Sequence, residues 1–110
     1  MLAGPGAQEI EHLTIEIRTD PQTLVKLLAT ATAALYVDGA EVGFTRLRTL
    51  DRLLPASLSI GCILIWRVCY PIRSGQEITS DVRADELAAG HITITTGVQI
   101  RGRRKAESGK

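Results

Sequence analysis

Tyr36 and Asp38, a phenol and a carboxylate two positions apart, are residue types that can serve as an acid–base pair. Such a pair can pass a proton to and from a bound water. Both lie in "YVDGAEVG", where Gly39 and Gly43 interrupt the pattern before them. Asp38 therefore reads first as a turn residue and Tyr36 as a half-buried aromatic. His12 and His91 are the only histidines, and each borders a strand-like run on its polar side. Ser57, Ser59 and Ser80 lack the G-x-S-x-G setting of a hydrolase nucleophile. Gly4, Gly6, Gly39 and Gly43 form no phosphate loop.

The two cysteines, Cys62 and Cys69, sit on one extended run, too far apart for a disulfide. They read as reduced core or interface residues. With no CxxC and no paired His–Cys spacing, the expectation is no metal and no cofactor. "RGRRK", residues 101–105, is the one charge cluster. It can touch the phosphates of a nucleic acid or of coenzyme A, or stand as a solvated tail. Arg46, Arg48 and Arg52 add positive charge beside Asp51 and several leucines, which reads as an amphipathic surface.

These residues must be positioned by a small fold. The chain has 110 residues, 45% hydrophobic and 23% charged, which fits one domain with a thin core. Its net charge of +1 gives no pull toward nucleic acid or an anionic membrane. "MLAGPGAQEIEH" lacks the basic start and apolar stretch of a signal peptide. "LLPASLSIGCILIW" is too short to span a bilayer and reads as a buried strand. The expected setting is cytoplasmic.

"HLTIEIR" alternates and reads as a half-buried strand. Asp20 and Pro21 then open a helix over residues 21–36, with Leu24, Leu27, Leu28, Ala31 and Leu35 on one stripe. "FTRLRTLDRLLP" reads as a short second helix ended by Pro55, although Phe44 to Leu47 fit an extended chain equally well. The segment from Leu58 to Tyr70 is the central strand, apolar on one whole face and, through Ile63 and Ile65, on the middle of the other. Pro71 ends that strand or puts it at an edge, and Ser74 and Gly75 supply a turn. "EITSDVRADEL" and "HITITTGVQIRGR" follow as strands joined at "AAGH", with Ile92, Ile94, Val98 and Ile100 sharing a face. The fold class is α+β: a curved antiparallel sheet wrapped on one main helix, ending in three consecutive strands. Residues 1–10 read as a flexible N-terminus, 11–102 as the domain and 103–110 as a basic flexible tail.

"RVCYPIRSGQEITSDVRADELAAGHITITTGVQIRGR" resembles the last three strands of MaoC-like hydratases and dehydratases of the hot-dog fold. Pro71, Ile72, Arg73, Gly75 and Glu77 stand on that family's Pro-(Val/Ile)-Arg-x-Gly-(Asp/Glu) turn, with Gln76 intervening. "LVKLLATATAALYVDGAEVGFTR" is similar more loosely to the family's active-site stretch. The family's catalytic aspartate falls on Ala31 and its histidine on Tyr36, while Asp38 matches a later aspartate. The resemblance implies a protein related to acyl-thioester hydratases or dehydratases, a degenerate or non-catalytic subunit because the catalytic pair is absent. It implies an acyl-coenzyme A or acyl-carrier-protein partner and a homodimer, or pairing with a homologous subunit. Asp38 and Tyr36 are then the substitute catalytic candidates, and Trp66, Tyr70 and Arg73 the ligand-binding ones. The rival reading is a small α+β module that binds a protein or nucleic-acid partner through its sheet face or basic tail.

Overall fold

The structure is a computed structural model that describes residues 8–53, 61–85 and 92–102. Its elements are β1 (Gln8–Arg18), α1 (Pro21–Thr30), β2 (Thr32–Val37), β3 (Ala40–Arg46), a single 3-10 turn (Leu47–Thr49), β4 (Asp51–Leu53), β5 (Cys62–Ile72), β6 (Ile78–Arg83) and β7 (Thr93–Gly102). The strands form two antiparallel sheets, one in the order β4-β5-β1-β7 and one in the order β3-β2-β6. The described residues thus form a small, sheet-rich α+β fold with one helix.

Alternation makes β1 and β5 the floor of the core. Leu13, Ile15 and Ile17 on β1 and Cys62, Leu64 and Trp66 on β5 all point inward. Ala33, Leu35 and Val37 face them from β2, and α1 adds Leu27 and Leu28. Each large side chain removed from water in this way contributes about 1.5–3 kcal/mol.

The helix starts as expected and stops early. The Thr23 amide donates to Asp20 Oδ2 at 3.0 Å and its hydroxyl to Oδ1 at 2.7 Å, capping a helix with Pro21 in its first turn. At Ala31 the backbone is already extended, with ψ 151°. The expected continuation to residue 36 is instead β2. Ala31, Ala33, Leu35 and Val37 lie two apart, so the stripe that fits a helix through Ala31 fits a strand beyond it. β-Branched Thr30 and Thr32 flank the switch and favour the strand. The second helix is also replaced. Phe44 to Arg46 belong to β3, only Leu47–Thr49 coil, and Asp51–Leu53 pair with β5. Among the described residues of that stretch Leu47 is fully buried in the core, with Leu50 packed partly buried against it.

The three last strands are not neighbours. β5 and β7 both flank β1, whereas β6 crosses to pair with β2 in the other sheet. A chain turning at Gly75, φ +85°, makes that crossing. The single curved sheet expected from the sequence is therefore two layers. "AAGH" and Leu58 to Ile60 lie outside the described residues.

The sheet around β1 has an uneven count. Leu13 pairs with Trp66 and Val98, and Ile10 pairs with Tyr70 and Ile100. Between those two levels β7 takes two steps, β1 three and β5 four. Bulges at Glu11 and at Cys69, whose φ is +53°, absorb the surplus and turn the strands around a common corner. Pro71 lies just beyond, on a part of β5 that among the described residues is paired on one side only, with β1, an edge position of the kind in which proline is tolerated.

Cys62 is buried and Cys69 exposed. Burial pushes the Cys62 thiol above its ordinary range, an effect only partly offset by Arg52. In a thiol titration of the native protein we expect Cys69 alone to react promptly, and Cys62 to become reactive only in denaturant. Prompt reaction of both would contradict the burial.

Candidate functional site

Asp38 and Gly39 are the two central residues of the β2–β3 hairpin, with φ +53° and +81°. Positive φ at both positions is the signature of a tight type I′ turn, for which Asp-Gly is a preferred pair. The Asp38 side chain then reaches sideways to the turn after β5. Its Oδ1 accepts from the Glu77 amide at 2.9 Å and its Oδ2 from the Gln76 side-chain amide at 3.3 Å. The Asp38 amide donates to the Glu77 carbonyl at 2.8 Å. Gln76 in turn accepts from the Arg73 amide at 2.7 Å through its side chain, and its own amide donates to the Arg73 carbonyl at 3.2 Å. Asp38 and Arg73 are therefore brought together through Gln76, as parts of a clamp that fixes where β6 begins.

Replacing a clamp differs from replacing a catalytic base. Asp38→Asn keeps an acceptor and tolerates positive φ, so it should change stability by under about 0.5 kcal/mol. Asp38→Ala strands the Glu77 amide and should cost about 1–2 kcal/mol. Urea denaturation of the two variants checks this, and equal costs would contradict the clamp.

Tyr36 points the other way, onto the outer face of the three-stranded sheet. There it shares a shallow hollow with Thr32, Ala34, Glu41, Phe44, Asp81 and Arg83. Phe44 is 58% exposed. Arg83 donates to Asp81 at 2.7 Å, and that hydrogen bond raises the guanidinium pKa further above its ordinary value. Trp66 lies on the inner side of the same sheet, with its ring against Gly43: a methyl added there would meet the indole at 3.2 Å. Tyr70 is partly buried against the core, and Arg73 is exposed. The five residues thus fall in three places: the clamp, the outer hollow and the core. Among the described residues no three His, Cys, Asp or Glu side chains gather, and no helix is long and apolar enough to cross a membrane.

A second feature arises because β6 and β7 belong to different sheets. Their inward faces meet at the seam between the layers, where the Ser80 hydroxyl donates to Thr96 at 3.1 Å. Beside this contact runs a groove lined by Ser80, Asp81, Val82, Ile92, Ile94 and Thr96. Val82, Ile92 and Ile94 are only partly buried.

The strand edges around the molecule differ in how they are guarded. An unpaired edge is a template for another strand, and proteins blunt it with charges, proline, bulges or brevity. β3 carries exposed Glu41 and Arg46, β6 carries Asp81 and Arg83, and β4 carries exposed Asp51 and Arg52. The free part of β5 has the Cys69 bulge and Pro71. β7 has ten residues, rich in Thr, Ile and Val, and its one charged residue is Arg101. That guanidinium turns back onto β1, 2.6 Å from Glu9 and 3.6 Å from Glu11. Among the described residues β7 pairs on one side only, with β1.

Neither the groove nor the unguarded edge is visible from residue types. The alternation of Ile92, Ile94, Val98 and Ile100 was the available signal, and it marks only a half-buried strand. No family model matches the chain, and no curated protein or solved structure matches it.

Proposed function

We propose that this chain is a non-catalytic interaction module that recognises a polypeptide by adding a strand to the β7 edge. The carrying observation is the pairing of a ten-residue unguarded edge with a partly apolar groove directly beside it. In strand addition, backbone hydrogen bonds supply affinity and pockets for alternate side chains supply selectivity. Here an added strand would continue the sheet beyond β7 while its inward side chains enter the groove over Val82, Ile92 and Ile94. The Asp38 clamp supports the same reading, because it holds β6, the far wall of the groove, at a fixed place.

The test uses a soluble peptide alternating valine with threonine, followed by amide NMR of the protein. Shifts and exchange protection at residues 93–101 and 80–82 are expected. Thr96→Lys, which sets a charge on an exposed site in the seam, should abolish them without changing the circular dichroism. Absence of any peptide-induced shift at β7 overturns the reading.

The acyl-thioester reading, with its finer likeness to a sheet wrapped on a helix in the hot-dog manner, is the rival outcome. It draws support from Trp66 and Tyr70 sharing the inner face of β5. Crotonyl-coenzyme A would then perturb Trp66, Tyr70 and Arg73 rather than β7.

A further inference from the structure

We infer that the strand received at β7 is the β7 of a second copy of this chain, paired antiparallel about a two-fold axis through Gly97. The inference rests on the strand-addition reading and names its occupant.

The side-chain order of β7 carries it. Ile94, Thr96, Val98 and Ile100 pair with Ile17, Ile15, Leu13 and Ile10 of β1, whose side chains are buried, so they face inward. Thr93, Thr95, Gly97, Gln99 and Arg101 face outward. A dyad on a residue keeps inward residues opposite inward ones, whereas a dyad between residues would flip one copy's faces. Two such registers engage all but one terminal residue of the strand. The one centred on Gly97 sets Ile94 opposite the second copy's Ile100, and Thr96 opposite its Val98. The one centred on Val98 sets Ile94 opposite Gly102, which has no side chain to bury.

In the Gly97 register the outward pairs are Thr95 with Gln99 and Thr93 with Arg101. No like charges meet, and the dyad itself falls on two glycines. Both copies gain equally, as a two-fold interface demands. The groove is completed by the same act. The incoming Ile100 and Val98 stand beside Ile94 and Thr96, at the mouth lined by Ser80, Val82 and Ile92. Arg101 is no obstacle, because it is already neutralised by Glu9 and Glu11 on β1.

The register makes a test that a generic surface effect would not reproduce. Positions 95 and 99 lie four residues apart within one strand, too far to touch, but opposite each other across the proposed dyad. Thr95→Lys with Gln99→Lys places two like-charged pairs at the interface, while Thr95→Lys with Gln99→Glu places two opposite-charged pairs there. By sedimentation equilibrium at low salt the wild type should be dimeric. The Lys/Lys variant should associate at least about tenfold more weakly than the Lys/Glu variant. A dimer equally tight in both variants overturns the Gly97 register and with it this inference. A wild type that stays monomeric also overturns it. In that case the strand-addition reading survives if the valine–threonine peptide still shifts residues 93–101, and falls if it does not.

Discussion

Replacing Gly61 with alanine is expected to cost about 3 kcal/mol, seen as a fall of roughly 15 °C in Tm. Two penalties coincide at this position. Its φ is +102°, a conformation that residues with a side chain rarely adopt. A methyl group added there would also lie 2.0 Å from the Ile17 carbonyl oxygen and 3.0 Å from the Arg18 Cα. Both of those atoms are backbone of the strand that β5 pairs with, so neither can swing aside as a side chain would. Gly39 and Gly75 separate the two penalties. They also have positive φ, at +81° and +85°, but nothing lies within 4 Å of an added methyl. Alanine at either should cost only about 1 kcal/mol. Thermal unfolding of the three variants side by side checks the ranking, and a Gly61 variant no worse than the other two would refute the close approach.

Trp66→Ala is expected to cost about 3–5 kcal/mol. The indole is 9% exposed and forms the bridge between the layers, reaching from β5 to Gly43 on β3. The glycine provides the space that the ring fills. Gly43→Ala alone should therefore destabilise, since its methyl would press on the ring at 3.2 Å and 3.4 Å. In the Trp66→Ala background the same methyl enters a cavity, and its cost should shrink or reverse. A coupling of at least about 0.5 kcal/mol in the double-mutant cycle is the expected result. Circular dichroism must report the unfolding, because Trp66 is the only tryptophan. Additive effects would mean that the two residues do not meet.

How much of this was legible beforehand depends on the range of the interaction. The helix start was legible because Asp20, Pro21 and Thr23 act within one turn. Its end was not, because Ala31 serves both the helical stripe and the strand alternation. The hairpin at Asp38-Gly39 carried a strong local signal, an Asp-Gly pair with apolar residues on either side, but its first strand was hidden because residues 31–36 also fit the helical stripe. β5 was legible over Cys62 to Tyr70 from its two-sided apolar character. The crossing of β6 to the other sheet was not. Its side-chain pattern is the same whether β5 or β2 is its neighbour, and the decision lies in the contact of Asp38 with Gln76 and Glu77, 38 and 39 positions away. Since the groove exists only because of that crossing, the candidate site was hidden for the same reason.

The corner where β7, β1 and β5 advance by two, three and four residues has a consequence for mutation and folding. In an evenly stepped ladder, a strand that loses two residues can heal by sliding along its neighbour, since every in-facing group meets another in-facing one. Here sliding brings a bulge against a regular step, and the fit is lost on both flanks of β1 together. The corner works as a vernier with a single coincidence, so the three strands have one alignment to find. Deletions between residues 9 and 12, or between 67 and 71, should be far less tolerated than deletions of equal length in the even stretch from residue 13 to 18.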